Sequence, residues 1–208
     1  MRIPYRAAHH PVMAFYCRRL PHWQPEGASI FLTWRLHGSL PRAMSLPAIG
    51  ATATEGRRFV AMDRHMARAV SGPTWLQDPR VAATVMEALL TGEKQWQLYN
   101  LSAWVLMPNH VHVLVDPHKA VSEVTRAVKS ASAREANQVL GRRGMPFWQD
   151  ESYDHWVRDA KEFNRIVQYI ESNPLDAGLV SRIEDWPWSS ASARFVAGQV
   201  GDLPCAVP

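Results

Sequence analysis

The sequence has little cysteine, little lysine and no long apolar run. Its two cysteines, Cys17 and Cys205, lie near opposite ends of the 208 residues, so we expect neither a cysteine metal cluster nor a disulfide framework. No apolar run approaches the roughly 20 residues that cross a bilayer. The first residues also lack the apolar core of a signal peptide. These absences predict a cytoplasmic protein without a membrane partner.

The positive charge is almost entirely arginine, since lysine occurs at only four positions while the formal net charge is +4. Arginine binds phosphate with two parallel hydrogen bonds and stacks on bases. Nine tryptophans add further stacking surfaces. This composition favours single-stranded or looped nucleic acid as a partner, although a GC-rich genome would enrich arginine whatever the function. Arg18 and Arg19 could contact DNA phosphates or could simply be solvated.

Apolar periodicity predicts the order strand, helix, strand, strand, helix, strand, helix. The first six elements form a βαββαβ unit, which is a ferredoxin-like α+β fold with an antiparallel sheet and helices on one face. We expect an irregular basic arm over residues 1–27, a main domain over 28–180 with a helical insertion around 39–78, and a tail over 181–208. The predicted strands are 30–36, 96–107, 110–115 and 153–158, and the predicted helices are 54–70 in the insertion, 79–90 ending at Gly92, 121–140 and 161–172.

Two histidines mark the strand predicted over residues 110–115, where His110 and His112 alternate with valines. Successive side chains on a strand point to opposite faces, so the two imidazoles share one face and can lean onto one metal ion. The valines between them should enter the core. With 9 histidines in the chain, such a pair also arises by chance. Spacing alone therefore leaves two interpretations open, a metal-binding pair and a pair without a role.

The last predicted helix carries Tyr169 and Asn173, which are four residues apart and therefore share a helical face. A helix laid across the histidine face would present a phenol nucleophile and an amide oxygen, a ligand suited to Mg²⁺ or Mn²⁺. Two purely structural alternatives remain open. Tyr169 could be a half-buried core residue, and Asn173 could stop the helix before Pro174.

Two stretches taken together resemble a known family. They are MPNHVHVLV at 107–115 and YIESNPLDAGL at 169–179. They resemble the single-tyrosine HUH transposases of the IS200/IS605 group, and most closely the REP-associated tyrosine transposase branch. The resemblance extends from about residue 17 to 195, whereas 38–75 and the last dozen residues match no motif. Shorter stretches similar to that branch are 19–23, 25–27, 148–149, 153–156 and 186–190.

The resemblance implies a role for each matching residue. His110 and His112 would bind a divalent metal, Mg²⁺ or Mn²⁺, and Asn173 would take the third ligand position, which other IS200-like enzymes fill with glutamine. Tyr169 would be the nucleophile. His155 could touch the site or the DNA, or could be packed or solvated without a role.

The implied activity is metal-dependent nicking and strand transfer of single-stranded DNA at REP-type hairpins through a 5′-phosphotyrosine. The protein would be cytoplasmic and nucleoid-associated, and a monomer is favoured over a homodimer. One alternative is a domesticated regulator that binds DNA hairpins with weak or no catalytic activity. Another is a metal hydrolase of unrelated fold in which Tyr169 is only a core residue. A nicking assay would separate the enzyme from the regulator, and failure to trap a covalent protein–DNA product would favour the hydrolase.

Overall fold

The computed structural model describes residues 13–17, 21–25, 27–40, 55–67 and 72–192. Short 3₁₀ turns at Trp75–Gln77 and Ile183–Asp185 accompany the regular elements. The strands are β1 (Met13–Cys17), β2 (Pro21–Pro25), β3 (Ile30–Arg35), β4 (Tyr99–Leu106), β5 (His110–Pro117) and β6 (Tyr153–Trp156), and the helices are α1 (Glu55–Ala67), α2 (Pro79–Lys94), α3 (Val121–Val139) and α4 (Ala160–Asp176).

Four strands form an antiparallel sheet in the order β4-β5-β3-β6. Along the chain, β3, α2, β4, β5, α3 and β6 give the βαββαβ order, and α4 follows. The predicted ferredoxin-like α+β fold is therefore confirmed. Strand β5 lies in the middle of the sheet, and its register places His110 opposite Arg35 and His112 opposite Thr33.

The two faces of β5 differ in chemistry, as the alternating sequence predicted. Val111, Val113 and Val115 are buried in a large apolar core together with side chains of α2 and α3. His110 and His112 point to the other face, which α1 and α4 cover. Its apolar residues are Phe31, Phe59, Ala103, Val105, Met107, Leu114, Val157, Phe163, Ile166 and Ile170. The helices of the βαββαβ unit thus share one face, and the site lies on the other.

Helix α2 begins as predicted, with the Asp78 side chain accepting a hydrogen bond from the Arg80 amide and Pro79 in the first turn. The predicted stop at Gly92 is wrong, because the helix continues to Lys94. A Cβ at Gly92 would collide with the Tyr99 hydroxyl oxygen, and that hydroxyl donates to the Leu89 carbonyl at 2.7 Å. Glycine is needed there for close packing of β4 against the helix.

The expectation that residues 1–27 are irregular is wrong for two segments. Met13–Cys17 and Pro21–Pro25 pair as a two-stranded antiparallel sheet. Prolines begin and end the second of these strands, at positions where a strand tolerates the missing N–H, and they hide the strand signal in the sequence. Arg18 and Arg19 lie outside the described residues.

The predicted end of the last helix at Asn173-Pro174 is also wrong, because α4 continues through Pro174 to Asp176. Gly178, which follows the C-cap residue Ala177, has a φ of +71°. There the Leu179 amide donates to the Pro174 carbonyl and the Gly178 amide donates to the Leu175 carbonyl, as in a Schellman motif. Asn173 therefore lies inside the helix, one turn after Tyr169.

The segment after α4 returns along the edge of β4. The Leu106 amide donates to the Trp188 carbonyl at 2.8 Å, and the Ser190 amide donates to the Trp104 carbonyl at 2.9 Å. The Trp186 indole N–H donates to the Leu106 carbonyl at 2.9 Å. These bonds cover an edge strand that would otherwise expose backbone groups. Within the described ranges, no helix has the length and apolar character that a membrane span requires.

Candidate active site

Three buried side chains meet on the α1/α4 face of the sheet, and we call them the Asp-His-His group: Asp63, His110 and His112. Asp63 Oδ1 lies 3.4 Å from His110 Nε2 and 3.1 Å from His112 Nε2. The histidines are fully buried and Asp63 is 2% exposed. The group joins the central strand β5 to helix α1, which belongs to the predicted insertion.

Hydrogen bonds orient the two imidazoles. Asn109 donates its amide N–H to the Met66 carbonyl at 2.9 Å, so its oxygen is left to accept from His110 Nδ1 at 2.6 Å. Because that oxygen can only accept, His110 carries its proton on Nδ1 and presents a lone pair on Nε2. His112 Nδ1 lies 2.7 Å from the Thr33 hydroxyl oxygen. If that oxygen accepts, His112 Nε2 also presents a lone pair to the group.

This arrangement suits a metal ion. Asp63 Oδ1 and His110 Nε2 are buried and have no hydrogen-bond partner among the residues that the structure describes. Two electron-rich atoms that face each other without a shared proton are costly in a buried site, and a cation between them would satisfy both. One carboxylate and two imidazoles form a common ligand set for divalent metals. The Asp-His-His group could therefore bind one.

The protonation of the group also suits metal binding. Burial lowers the pKa of His110 to about 3, although the negative charge of Asp63 acts in the opposite direction. Burial alone would raise the pKa of Asp63, but the neighbouring His112, helped by His110 and Tyr169, holds it below its ordinary value. At neutral pH the carboxyl is ionised and His110 is neutral, which are the forms that bind metals.

Helix α4 adds Tyr169 and Asn173 to the same place. The Tyr169 hydroxyl donates a short hydrogen bond to Asp63 Oδ2, and the Asn173 amide nitrogen lies 3.2 Å from that oxygen and 3.4 Å from His112 Nε2. Burial raises the pKa of Tyr169, and so does the charge of Asp63, while the positive charge of Arg64 partly opposes them. Asp63 thus faces the imidazoles with one oxygen and the phenol with the other.

Aromatic neighbours hold the phenol ring in position. Phe31 of β3 and Phe59 of α1 meet the Tyr169 ring edge-on at centroid distances of 6.1 and 6.4 Å, and the His112 ring lies at 5.8 Å. Tyr153 of β6 stacks on Phe59 at 4.2 Å. The ring is fixed by packing from three elements, so its hydroxyl has a defined position.

Four residues singled out in the sequence therefore meet in space: His110, His112, Tyr169 and Asn173. Asn173 turns its amide nitrogen to the group, whereas a metal ligand would use the oxygen, so its role as third ligand stays a prediction. His155 lies on β6 opposite Phe31, with Nε2 3.2 Å from Glu162 Oε1. Its proposed contact with DNA also stays a prediction.

The residue that the sequence did not single out is Asp63. It lies in the insertion, where no motif was found, 47 positions before His110. One signal pointed to it: Phe59, Met62 and Met66 form the apolar stripe predicted for this helix, and Asp63 lies on the same side of the helix as Phe59 and Met66. A carboxylate within an apolar stripe is a candidate for a buried partner.

Comparison with known proteins finds a family model that matches the middle of the chain. Residues 74–173 match the family described as "Transposase IS200 like". This match confirms the resemblance predicted from the sequence. It includes His110, His112, Tyr169 and Asn173, and it begins after Asp63.

The chain is similar to the REP-associated tyrosine transposase of Escherichia coli (strain K12), with 28% identity over 95 residues, which is 44% of this chain and 54% of that protein. A Haemophilus influenzae protein provisionally given the same name is 27% identical over 96 residues, with 41% and 54% covered. The chain thus spans about half the length of the curated relatives it matches. A solved REP-associated tyrosine transposase bound to a REP hairpin is 18% identical, with a TM-score of 0.48, over 98% of this chain and 93% of that one.

Proposed function

We propose that this chain, whose residues 74–173 match the IS200-like transposases, is a metal-dependent enzyme that nicks single-stranded DNA and transfers the cut strand. One observation carries the proposal. The hydroxyl of Tyr169 is hydrogen-bonded to the carboxylate of a buried Asp-His-His group. Attack on a phosphodiester requires a nucleophile, and a phenol next to a metal site can act as one.

In the proposed reaction the Tyr169 oxygen attacks the scissile phosphorus and displaces the 3′ oxygen of the preceding nucleotide. The phosphorus–oxygen bond to that nucleotide breaks, and the leaving 3′ oxygen takes up a proton. The 5′-phosphate of the following nucleotide stays attached to the tyrosine as a 5′-phosphotyrosine. The phenol proton leaves along its hydrogen bond to Asp63 Oδ2 as the new phosphorus–oxygen bond forms, and a proton is returned to the leaving 3′ oxygen. One phosphodiester replaces another, so a 3′-hydroxyl can reverse the step and join strands without ATP.

Asp63, His110 and His112 would hold the metal, and Asn173 would join them if its amide turned to present the oxygen. When bound, a divalent ion would polarise the scissile phosphate and would offset the negative charge that raises the pKa of Tyr169. Of the two ions expected from the sequence, Mn²⁺ suits this ligand set better than Mg²⁺, because two of the three donors are imidazoles.

The proposed substrate is a DNA hairpin of the REP type with single-stranded flanks. Two features support it: the curated relatives carry the name REP-associated tyrosine transposase, and the chain is basic and rich in tryptophan. We further propose a monomer that acts in the cytoplasm on chromosomal DNA. Residues 28–180 would form the catalytic domain, with the insertion at 39–78 contributing Asp63.

The test is formation of a covalent product. Labelled hairpin oligonucleotides are incubated with the protein and Mn²⁺ or Mg²⁺ and then separated on a denaturing gel. We expect an adduct from the wild-type protein and none from Tyr169→Phe, which loses only the phenol oxygen. Tyr153→Phe is the matched control, because it removes a hydroxyl from the neighbouring ring and should still form the adduct.

Two results would contradict the proposal. An adduct from Tyr169→Phe at the wild-type rate would mean that Tyr169 is only a core residue. Tight hairpin binding by the wild-type protein with no adduct in either metal would favour a regulator that binds hairpins without cutting them.

A further inference from the structure

A half-buried arginine ends strand β3 on the same face of the sheet as the Asp-His-His group. Arg35 lies directly opposite His110 in the β3–β5 register, and Thr33, two residues earlier, lies opposite His112 and contacts it. Paired residues of antiparallel strands project to the same side of the sheet. Arg35 therefore follows Thr33 in the row of β3 side chains that faces the two histidines.

The partly buried Arg35 guanidinium has few polar partners among the described residues. Its one described hydrogen bond goes to the Ser39 hydroxyl at 3.4 Å, and no described carboxylate lies within ion-pair distance. Burial lowers the pKa of Arg35. In contrast, the exposed arginines Arg80, Arg134 and Arg182 each pair with a neighbouring carboxylate.

A partly desolvated cation without a counterion is costly, and an anion supplied from outside would remove that cost. A guanidinium presents several N–H donors in a planar fork that matches two oxygens of a phosphate. The position of Arg35, one strand away from His110, places this fork beside the site rather than within its ligand set.

We propose that Arg35 binds the DNA backbone at a phosphate next to the scissile one and so fixes how the strand crosses the Asp-His-His group. The proposal rests on the proposed function, because it assumes that a DNA strand enters this face. Phosphate contacts of this kind set the position of a strand without reading its sequence. Arg35 would therefore act on any single strand that reaches the site.

The test is binding of fluorescein-labelled oligothymidylate over a salt series, measured by fluorescence anisotropy without divalent metal. We expect Arg35→Gln to bind about tenfold more weakly and to lower the slope of log affinity against log salt by about 0.7, the value for one lost phosphate contact on a single strand. Arg35→Lys keeps the charge and should keep the slope. The matched control is Arg134→Gln on α3, an exposed arginine on the opposite side of the sheet, which should match wild type.

Arg35→Met is a second neutral variant in case Arg35→Gln fails to fold, and thermal melting checks both. A neutral variant that folds and keeps the wild-type affinity and slope would overturn the proposal. So would an equal loss from Arg134→Gln, because that would indicate diffuse attraction to a basic surface.

This experiment contains no covalent step, so its outcome can be judged independently of the test of the proposed function. A wild-type adduct together with an unchanged slope for Arg35→Gln would reject only the role of Arg35. A changed slope without any wild-type adduct would reject the cutting chemistry and keep Arg35 as a contact to DNA phosphate.

Discussion

The two faces of strand β5 show how one alternating sequence supports two tasks. On one face, Val111, Val113 and Val115 pack into the apolar core with α2 and α3. On the other, His110 and His112 meet Asp63 in a buried polar group under α1 and α4. Apolar burial stabilises the fold, whereas the polar face buries groups that need a partner. Substitutions on the two faces should therefore separate stability from activity.

The largest expected effect is loss of cutting when the polar face is changed. Asp63→Asn keeps the shape of the side chain but removes its charge, so it should lower the rate of adduct formation at least about a hundredfold. His110→Ala and removal of divalent ions by a chelator should do the same. The measurement is adduct formation against time at saturating Mn²⁺.

Hairpin binding by Asp63→Asn serves as the control and should stay close to wild type, because backbone contacts supply most of the affinity. Cutting by Asp63→Asn at the wild-type rate would mean that another residue takes the place of Asp63. Cutting that persists in excess chelator would reject the metal itself.

The apolar face should respond in the opposite way. Val113→Ala removes two buried methyl groups and should lower the free energy of unfolding by about 2 kcal/mol. Because Val113 points away from the site, the rate per folded molecule should not change. Urea unfolding and the adduct rate, measured on the same preparation, check this. A slower rate with unchanged stability would show that the two faces are coupled.

Substitutions at Asn173 test whether helix α4 contributes a ligand to the metal site. If its oxygen binds the metal, Asn173→Ala should raise the Mn²⁺ concentration for half-maximal cutting by about three- to tenfold. Asn173→Asp should keep the metal requirement near wild type. Without metal it should melt earlier, because its carboxylate faces that of Asp63, and Mn²⁺ should restore its melting temperature.

The contrary result is also informative for Asn173. If Asn173→Ala melts earlier but needs no more metal, its amide serves only to hold Asp63 through the 3.2 Å hydrogen bond. The metal would then have three protein ligands, Asp63, His110 and His112, and Asn173 would not be one of them.

The smallest expected effect is a loss of stability of the metal-free protein as the pH falls. Burial lowers the pKa of His110 to about 3, below its ordinary 6.5, so the unfolded chain binds more protons between these values. Stability should be full above the ordinary value and should fall as the pH drops through this window, by about 1 kcal/mol between roughly pH 7 and 5.5. Urea unfolding at the two pH values measures the loss. His110→Gln should lose less, and an equal loss would assign the effect to other groups.

Much of the fold and part of the site were predictable from local patterns. Strand alternation placed His110 and His112 together and the valines in the core, and the four-residue spacing placed Tyr169 and Asn173 on one helical face. The order of elements predicted the βαββαβ fold. Boundaries were less predictable, because Gly92 and Pro174 are residues that usually end helices, yet each lies inside one. Gly92 makes room for Tyr99 within α2, and α4 continues past Pro174 to the motif at Gly178.

By itself, the sequence determined the faces of each element, because side-chain direction follows from backbone periodicity over a few residues. Only the tertiary structure decided which element covers each face. Asp63 joins the histidines because helix α1, from a segment without a motif, packs over the sheet beside α4, with Phe59 among the aromatic rings and Met66 held by Asn109. Arg35 lies beside His110 for the same reason, through the pairing of strands distant in the chain. Such contacts depend on long-range packing, which no local spacing encodes.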